Sequence, residues 1–172
     1  MKKSYFLSAI LCFAVHNAFA GDIVPISVTG RIVAGPCEVA SDSINKTVDL
    51  NNGKKLTPNM LNTAGETTDW VPFDINLINC PDTTKKALMT LSGTADDTYP
   101  DDMYKNSGAN AATNIAIQLQ TSTGEQAGNG KVLSGDILNK AYSYHMKARV
   151  YSKGVATAGK IASVVTVSFT YQ

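Results

Sequence analysis

The apolar residues of this sequence recur at every second position, in short runs separated by turn-forming residues. The segment 70–80 shows the pattern most clearly, with an apolar row made of Val71, Phe73, Ile75 and Leu77. A period of two places one row of side chains on each face of a β-strand. Because no segment shows a sustained period of 3.6 residues, the sequence predicts a fold built of strands with few helices.

Further runs rich in β-branched and aromatic residues follow along the chain. We predict strands in the segments 24–33, 47–50, 70–80, 87–93, 114–121, 131–133, 141–152 and 161–172. Between them lie residue types that turns require, such as Asn52-Gly53 and Lys153-Gly154. About seven short strands with such separators favour an antiparallel β-sandwich of the immunoglobulin type.

The segment 1–20 has the three parts of a secretory signal peptide. Two lysines near the start precede an apolar run that is too short to span a bilayer, and 18–20 is a small-x-small cleavage site, Ala-Phe-Ala. We therefore expect cleavage before Gly21 and export of the remaining chain as one domain.

Charge limits the partners of the exported domain. Loss of the two signal-peptide lysines takes the formal charge from +1 to about −1. Nucleic acids and anionic membranes require a basic face, so this balance does not support either partner. No segment has the composition of a cofactor site, and we expect no cofactor.

Two cysteines, Cys37 and Cys80, remain in the exported chain. An even pair in an oxidising compartment predicts one disulfide, which is worth about 4 kcal/mol in the chain-entropy model. A redox or metal site would need closer or more numerous ligands, so the pair is interpreted as a structural staple.

Few residues could carry chemistry. His145 is placed by alternation on the polar face of its strand, with no nucleophile motif nearby, and is expected to be a surface histidine. The acid pairs 96–97 and 101–102 lack the spacing of a calcium loop and are interpreted as solvated loop acids. Trp70 lies at the start of a predicted strand, a position more typical of a packing residue than of a platform that binds sugar rings. We expect neither an enzyme nor a metal site.

Three further features lie in a defined order along the chain. An apolar row in the opening strand leads into Cys37, Cys80 is followed by Pro81, and the final strand has Tyr171 as its penultimate residue with Gly159 fourteenth from the end. Together they resemble the pilin subunits of bacterial chaperone–usher fimbriae, the type 1 fimbrial family. The segment 103–124 is similar to the family's minor tip subunits, which favours a minor subunit over the major rod subunit.

The resemblance implies an incomplete immunoglobulin-like sandwich that lacks its final strand. In this family a periplasmic chaperone first lends a strand, and the N-terminal extension of a neighbouring subunit later replaces it. The implied partners are therefore the chaperone, the outer-membrane usher and neighbouring pilin subunits. The implied location is a fimbrium on the cell surface, reached through the periplasm.

The resemblance also assigns roles to residues of this sequence. The implied donor strand carries Val24, Ile26, Val28, Gly30 and Ile32, with the glycine at a point where the acceptor admits no side chain. The implied acceptor groove and chaperone-binding residues are Gly159, Val165, Val167, Phe169, Tyr171 and Gln172.

This interpretation divides the chain into a signal peptide (1–20), a donor-strand extension (21–33) and a pilin domain (34–172). Two alternatives remain. A carbohydrate-binding adhesin would carry a separate lectin domain in place of the donor strand. A self-contained secreted sandwich with a binding role would need one more strand than the sequence supplies.

Overall fold

The computed structural model describes Thr29, Arg31 and residues 33–172, and two antiparallel sheets form the described part of the chain. The strands are β1 (Glu38–Val39), β2 (Val71–Ile78), β3 (Lys86–Gly93), β4 (Met103–Lys105), β5 (Ile115–Thr121), β6 (Val132–Asp136), β7 (Tyr142–Ser152) and β8 (Val165–Tyr171). The first sheet has the order β1-β2-β7-β5-β4 and the second β6-β3-β8. A short 3-10 helix, Pro58–Leu61, precedes β2. The predicted all-β sandwich is confirmed.

The two-residue period of apolar side chains identified the long strands, and most of these strands lie at the predicted positions. The predicted strand at 47–50 is wrong, because Asp49 begins a turn: its backbone carbonyl accepts from Asn52 and its carboxylate from Asn51. The three-residue β4 and the two-residue β1 were not predicted. The predicted opening strand, 24–33, lies largely outside the described residues.

Strand β7 shows how the alternation builds the core. Its inward residues are all buried, namely Tyr144, Met146, Ala148 and Val150, whereas His145 between them is exposed. The first three share one buried cluster with the inward row of β3 from the second sheet, Ala87, Met89 and Leu91. Val150 packs in a second, smaller cluster that includes Ile115 of β5. The core therefore lies between the two sheets.

Pro72 occupies the middle of β2 and is tolerated there by its position in the sheet. Asn76 accepts a backbone hydrogen bond from Ala40, on the side of β2 away from β7. Alternation directs the nitrogen of Pro72 to that same side, where β1 does not reach. A proline in a strand is accommodated at such an edge because no ladder hydrogen bond is lost.

One disulfide, Cys37–Cys80, joins positions 43 apart in the sequence. Both cysteines are buried at the edge of the core, where the chain enters the domain. The predicted staple is confirmed.

Burial of Tyr104 makes the free energy of unfolding decrease at alkaline pH. Its hydroxyl donates to the Ala127 carbonyl at 3.0 Å, and burial raises its pKa to about 12. The folded state then holds this proton more tightly than the unfolded chain, so the stabilisation is complete below pH 10 and is lost as the pH rises through about 12. Urea unfolding at a series of pH values is expected to show this loss.

The matched variant is Tyr104→Phe. Near neutral pH it should be less stable by about 1–3 kcal/mol, because the buried Ala127 carbonyl loses its donor. Between pH 10 and 12 it should lose less free energy of unfolding than the parent protein. An equal alkaline loss in both proteins would contradict the assignment to Tyr104.

Both outer strands of the second sheet have an edge without a strand partner in the described residues. On β6, the pairs Leu91–Lys131 and Lys85–Ile137 form backbone hydrogen bonds with β3. Alternation then turns the backbone of Val132, Ser134 and Asp136 away from β3. The same three side chains are exposed.

No helix in the described residues is long and apolar enough to cross a membrane.

Candidate functional site

The outer edge of β8 combines unpaired backbone with an apolar row. Lys86 of β3 and Gln172 exchange two backbone hydrogen bonds, each 2.9 Å long. In an antiparallel ladder the residues facing the partner alternate with those facing away. The residues whose N–H and C=O groups face away from β3 are therefore Val165, Val167, Phe169 and Tyr171. No residue in the described part of the chain forms a hydrogen bond with these groups.

The side chains of the same four residues point inward, and each is only half-buried. They pack against the core cluster, where their β3 partners Ala87, Met89 and Leu91 are fully buried. Phe169 lies 6.0 Å from Tyr144 and 6.3 Å from Tyr171 between ring centroids. We call these four residues with their outward backbone groups the open edge.

The C-terminal end of the open edge lies beside the point where the chain enters the domain. The Tyr171 hydroxyl donates to the Cys37 carbonyl at 3.4 Å, and its burial raises the pKa of the phenol. The buried Thr84 hydroxyl donates to the Gly35 carbonyl at 2.7 Å. Together with the disulfide, these contacts fix residues 35–37 beside the end of β8.

Gln172 and Gly159 lie outside the open edge. The Gln172 carbonyl accepts from the backbone of Lys85 at 2.6 Å and of Lys86 at 2.9 Å, which anchors the end of β8 to β3. Gly159 packs against the loop before β5, where an added Cβ would lie 2.4 Å from the Ala112 nitrogen. The structure therefore places Gly159 at a close backbone approach and not in the apolar row. The predicted donor residues, Val24, Ile26, Val28, Gly30 and Ile32, lie outside the described residues.

Asp96 corrects one sequence prediction. It is fully buried, not a solvated loop acid. One carboxylate oxygen accepts from the Lys153 ammonium at 2.6 Å, and the other accepts from the backbone N–H groups of Thr98 and Tyr99. The ion pair ties the loop after β3 to the end of β7. Its neighbour Asp97 pairs with Lys105 at the surface at 2.7 Å, and this contact lowers the pKa of the Asp97 carboxyl.

Trp70 is covered by two cations from β7. The Arg149 guanidinium lies 4.1 Å and the Lys147 ammonium 4.9 Å from the ring centroid. Partial burial lowers the pKa of Arg149, whose Nε donates to Gln118. A ring already occupied by cations favours packing over a sugar platform.

His145 is a surface histidine, as predicted. Its Nδ1 lies 2.7 Å from an oxygen of Asp74 on the neighbouring strand, and both side chains are at least half exposed. Within the described residues there is no group of three or more histidine, cysteine or carboxylate side chains that could hold a metal ion.

Comparison with known proteins identifies similar sequences along most of the chain. A family profile described as fimbrial protein matches residues 26–172. Protein FimG of Escherichia coli K12 is 34% identical over 99% of this chain and 97% of its own length. The S-fimbrial adhesin protein SfaS of Escherichia coli O6:K15:H31 is 35% identical over 85% of this chain and 83% of its own length.

Solved structures share the fold at lower identity. The P pilus rod subunit PapA superimposes with a TM-score of 0.63 at 22% identity, covering 80% of this chain and all of PapA. The P pilus adaptor subunit PapF gives a TM-score of 0.53 at 15% identity, covering 81% of this chain and 98% of PapF.

Proposed function

Because this chain belongs to the fimbrial protein family and is a structural subunit of a surface fimbrium, we propose that it joins its neighbours by exchange of a donor strand. The observation that carries the proposal is the open edge of β8. There the unpaired backbone and the half-buried apolar side chains belong to the same four residues. A strand laid along this edge would satisfy the backbone and cover the apolar row in one step.

The donor in this proposal is the segment 21–33 of a neighbouring subunit, preceding a pilin domain equivalent to 34–172. Its apolar row alternates as a strand should, and Gly30 replaces a large side chain at one position. Each backbone hydrogen bond contributes about 0.5–1.5 kcal/mol, and the buried apolar row adds more. A non-covalent junction of this kind is therefore expected to dissociate slowly.

Export and assembly partners follow from the same proposal. The segment 1–20 directs export and is removed, and a periplasmic chaperone covers the open edge until the outer-membrane usher passes the subunit into the fibre. The named relatives are fimbrial proteins, and we infer that this chain acts by binding, not by catalysis. The segment 103–124, which is similar to the family's minor tip subunits, supports a place between other subunits rather than along the rod.

Adhesion is a second candidate, and one relative favours it. SfaS is named an adhesin, and this chain covers 83% of its length, so chain length does not separate an adhesin from an adaptor. If the chain itself binds host glycans, deleting its gene should abolish cell attachment while fimbriae remain on the surface. Loss of fimbriae together with attachment would favour the structural role.

Gly30→Ile tests the proposal in cells that carry the complete fimbrial gene cluster. An added side chain in the apolar row should stop this chain from donating its strand, so the subunit should remain in the periplasm and be lost from purified fimbriae. The matched control is Thr29→Ile, which adds bulk on the opposite face of the same strand and should be incorporated normally.

The amount of periplasmic subunit that contains the Cys37–Cys80 disulfide reports folding independently of assembly. Normal incorporation of the Gly30→Ile subunit would refute donation by this segment.

A further inference from the structure

The most exposed large hydrophobic side chains of the described residues lie at the two ends of the sandwich. They are Val164, Leu138, Val33 and Val155, exposed by 81%, 73%, 69% and 66%. A single exposed apolar residue needs no explanation. The division of these four residues between the two ends of the sandwich does need one.

Val33 and Leu138 mark one end, which we call the root end because the chain enters the domain there. Val33 precedes Gly35, whose carbonyl is held by the Thr84 hydroxyl. Leu138 lies in the turn between β6 and β7, and this turn is hydrogen-bonded to the disulfide region at the same end of the domain. The carbonyl of Lys140 in the turn accepts from the backbone of Cys80 at 3.0 Å.

Val155 and Val164 mark the opposite end, which we call the far end. Val155 lies in the loop after β7 and is held by the Asn114 side chain, which donates to its carbonyl at 2.8 Å. Val164 immediately precedes β8. The eleven residues of β7 separate the two ends by about 36 Å, at about 3.3 Å per residue.

The position of the root end decides where a neighbouring subunit must lie. Residues 33–37, through which the chain enters the domain, lie at the root end, beside Tyr171 at the C-terminal end of the open edge. In a fibre that grows linearly, the body of the subunit whose strand occupies that edge lies at the other end. That is the far end, where the open edge begins next to Val164.

We infer that Val155 and Val164 form a docking patch for the root end of the subunit that donates the strand. The partner is a fimbrial subunit that presents apolar side chains in the positions of Val33 and Leu138. Val164 adjoins the open edge, because Val164 and Val165 are adjacent in the chain, and Val155 lies at the same end of the sandwich. This inference rests on the proposed strand exchange and adds an end-to-end apolar contact to it.

The test uses fimbriae purified from cells that carry the complete gene cluster, with the variant Val155→Asp/Val164→Asp in the full chain. The variant subunit should still be incorporated, because the open edge is unchanged. In urea, however, it should be released from the fibres about tenfold faster than the parent subunit, as expected when one buried apolar contact is lost.

Leu138→Asp changes the root end and should accelerate breakage at the junction where this chain donates. The matched control is Val132→Asp, an exposed valine on the solvent face of β6, which should leave the release rate unchanged. A second variant, Val155→Ser/Val164→Ser, removes the apolar surface without adding charge and should accelerate release to a smaller extent.

Release rates equal to the parent's for both the aspartate and the serine variants would overturn the docking patch. Unchanged release accompanied by loss of cell attachment would also overturn it and assign the patch to a host ligand. Failure of the strand exchange itself has another signature, because the Gly30→Ile subunit would then be incorporated into the fibres normally.

Discussion

A copy of residues 22–33 fused after Gln172 by a short linker is expected to raise the midpoint of urea unfolding by about 2 M relative to the chain without the fusion. The linker lets the copy turn back along the open edge, antiparallel to β8, and pair with its outward backbone. Burying three large apolar side chains contributes about 4 kcal/mol or more. With an unfolding slope of about 2 kcal/mol per molar urea, that gain gives the expected shift.

The reference protein carries the same fusion with serine in place of the copied residues Val24, Ile26 and Val28. Linker length and chain length are then equal, so a difference in midpoint reports the apolar row alone. Equal midpoints for the two fusions would mean that the sandwich is already complete. The chain would then have to be treated as a self-contained binding domain.

Lys153→Met is expected to lower the free energy of unfolding by about 3–5 kcal/mol. It leaves the fully buried Asp96 carboxylate with its two backbone donors but without the ammonium group that pairs with it. Urea unfolding monitored by tyrosine fluorescence measures the loss. Asp96→Asn in the Lys153→Met background removes the uncompensated charge and should recover part of the stability.

Lys105→Met is the matched control because it breaks the neighbouring pair with Asp97, whose side chains are well exposed. Water and salt screen an exposed pair, which therefore contributes little to stability, so this variant should remain close to the parent protein. Equal losses for the two lysine variants would contradict the distinction between the buried and the exposed pair.

The sequence predicted those elements whose pattern is local. Strand β7 alternates over eleven residues because one face meets the core and the other meets water, so the residues on each face could be read directly from the sequence. Strand β4 has three residues, too few to establish a period. The segment 47–50 has strand composition, but the turn hydrogen bonds of Asp49 decide its structure.

The candidate site was only partly accessible to the same reasoning. Alternation identified the apolar row of β8, but it does not show which edge of a strand lacks a partner, because pairing depends on residues far away in the sequence. Asp96 illustrates the same limit. Its sequence context is typical of a solvated loop acid, whereas the fold places Lys153, 57 positions away in the sequence, beside its carboxylate.

Within the described residues, the second sheet has two edges without a strand partner, and these edges differ in what an added strand would gain. On β6 the residues with outward backbone also hold their side chains in water, and the Asp136 carboxylate, 3.6 Å from the Lys86 ammonium, adds charge there. A strand arriving at β6 gains hydrogen bonds but meets only one exposed apolar side chain, Val132. A strand arriving at β8 gains hydrogen bonds and covers four half-buried apolar side chains. In a crowded compartment this asymmetry favours the addition of a strand at β8, while the solvated edge of β6 resists the stray sheet-to-sheet pairing that produces aggregates.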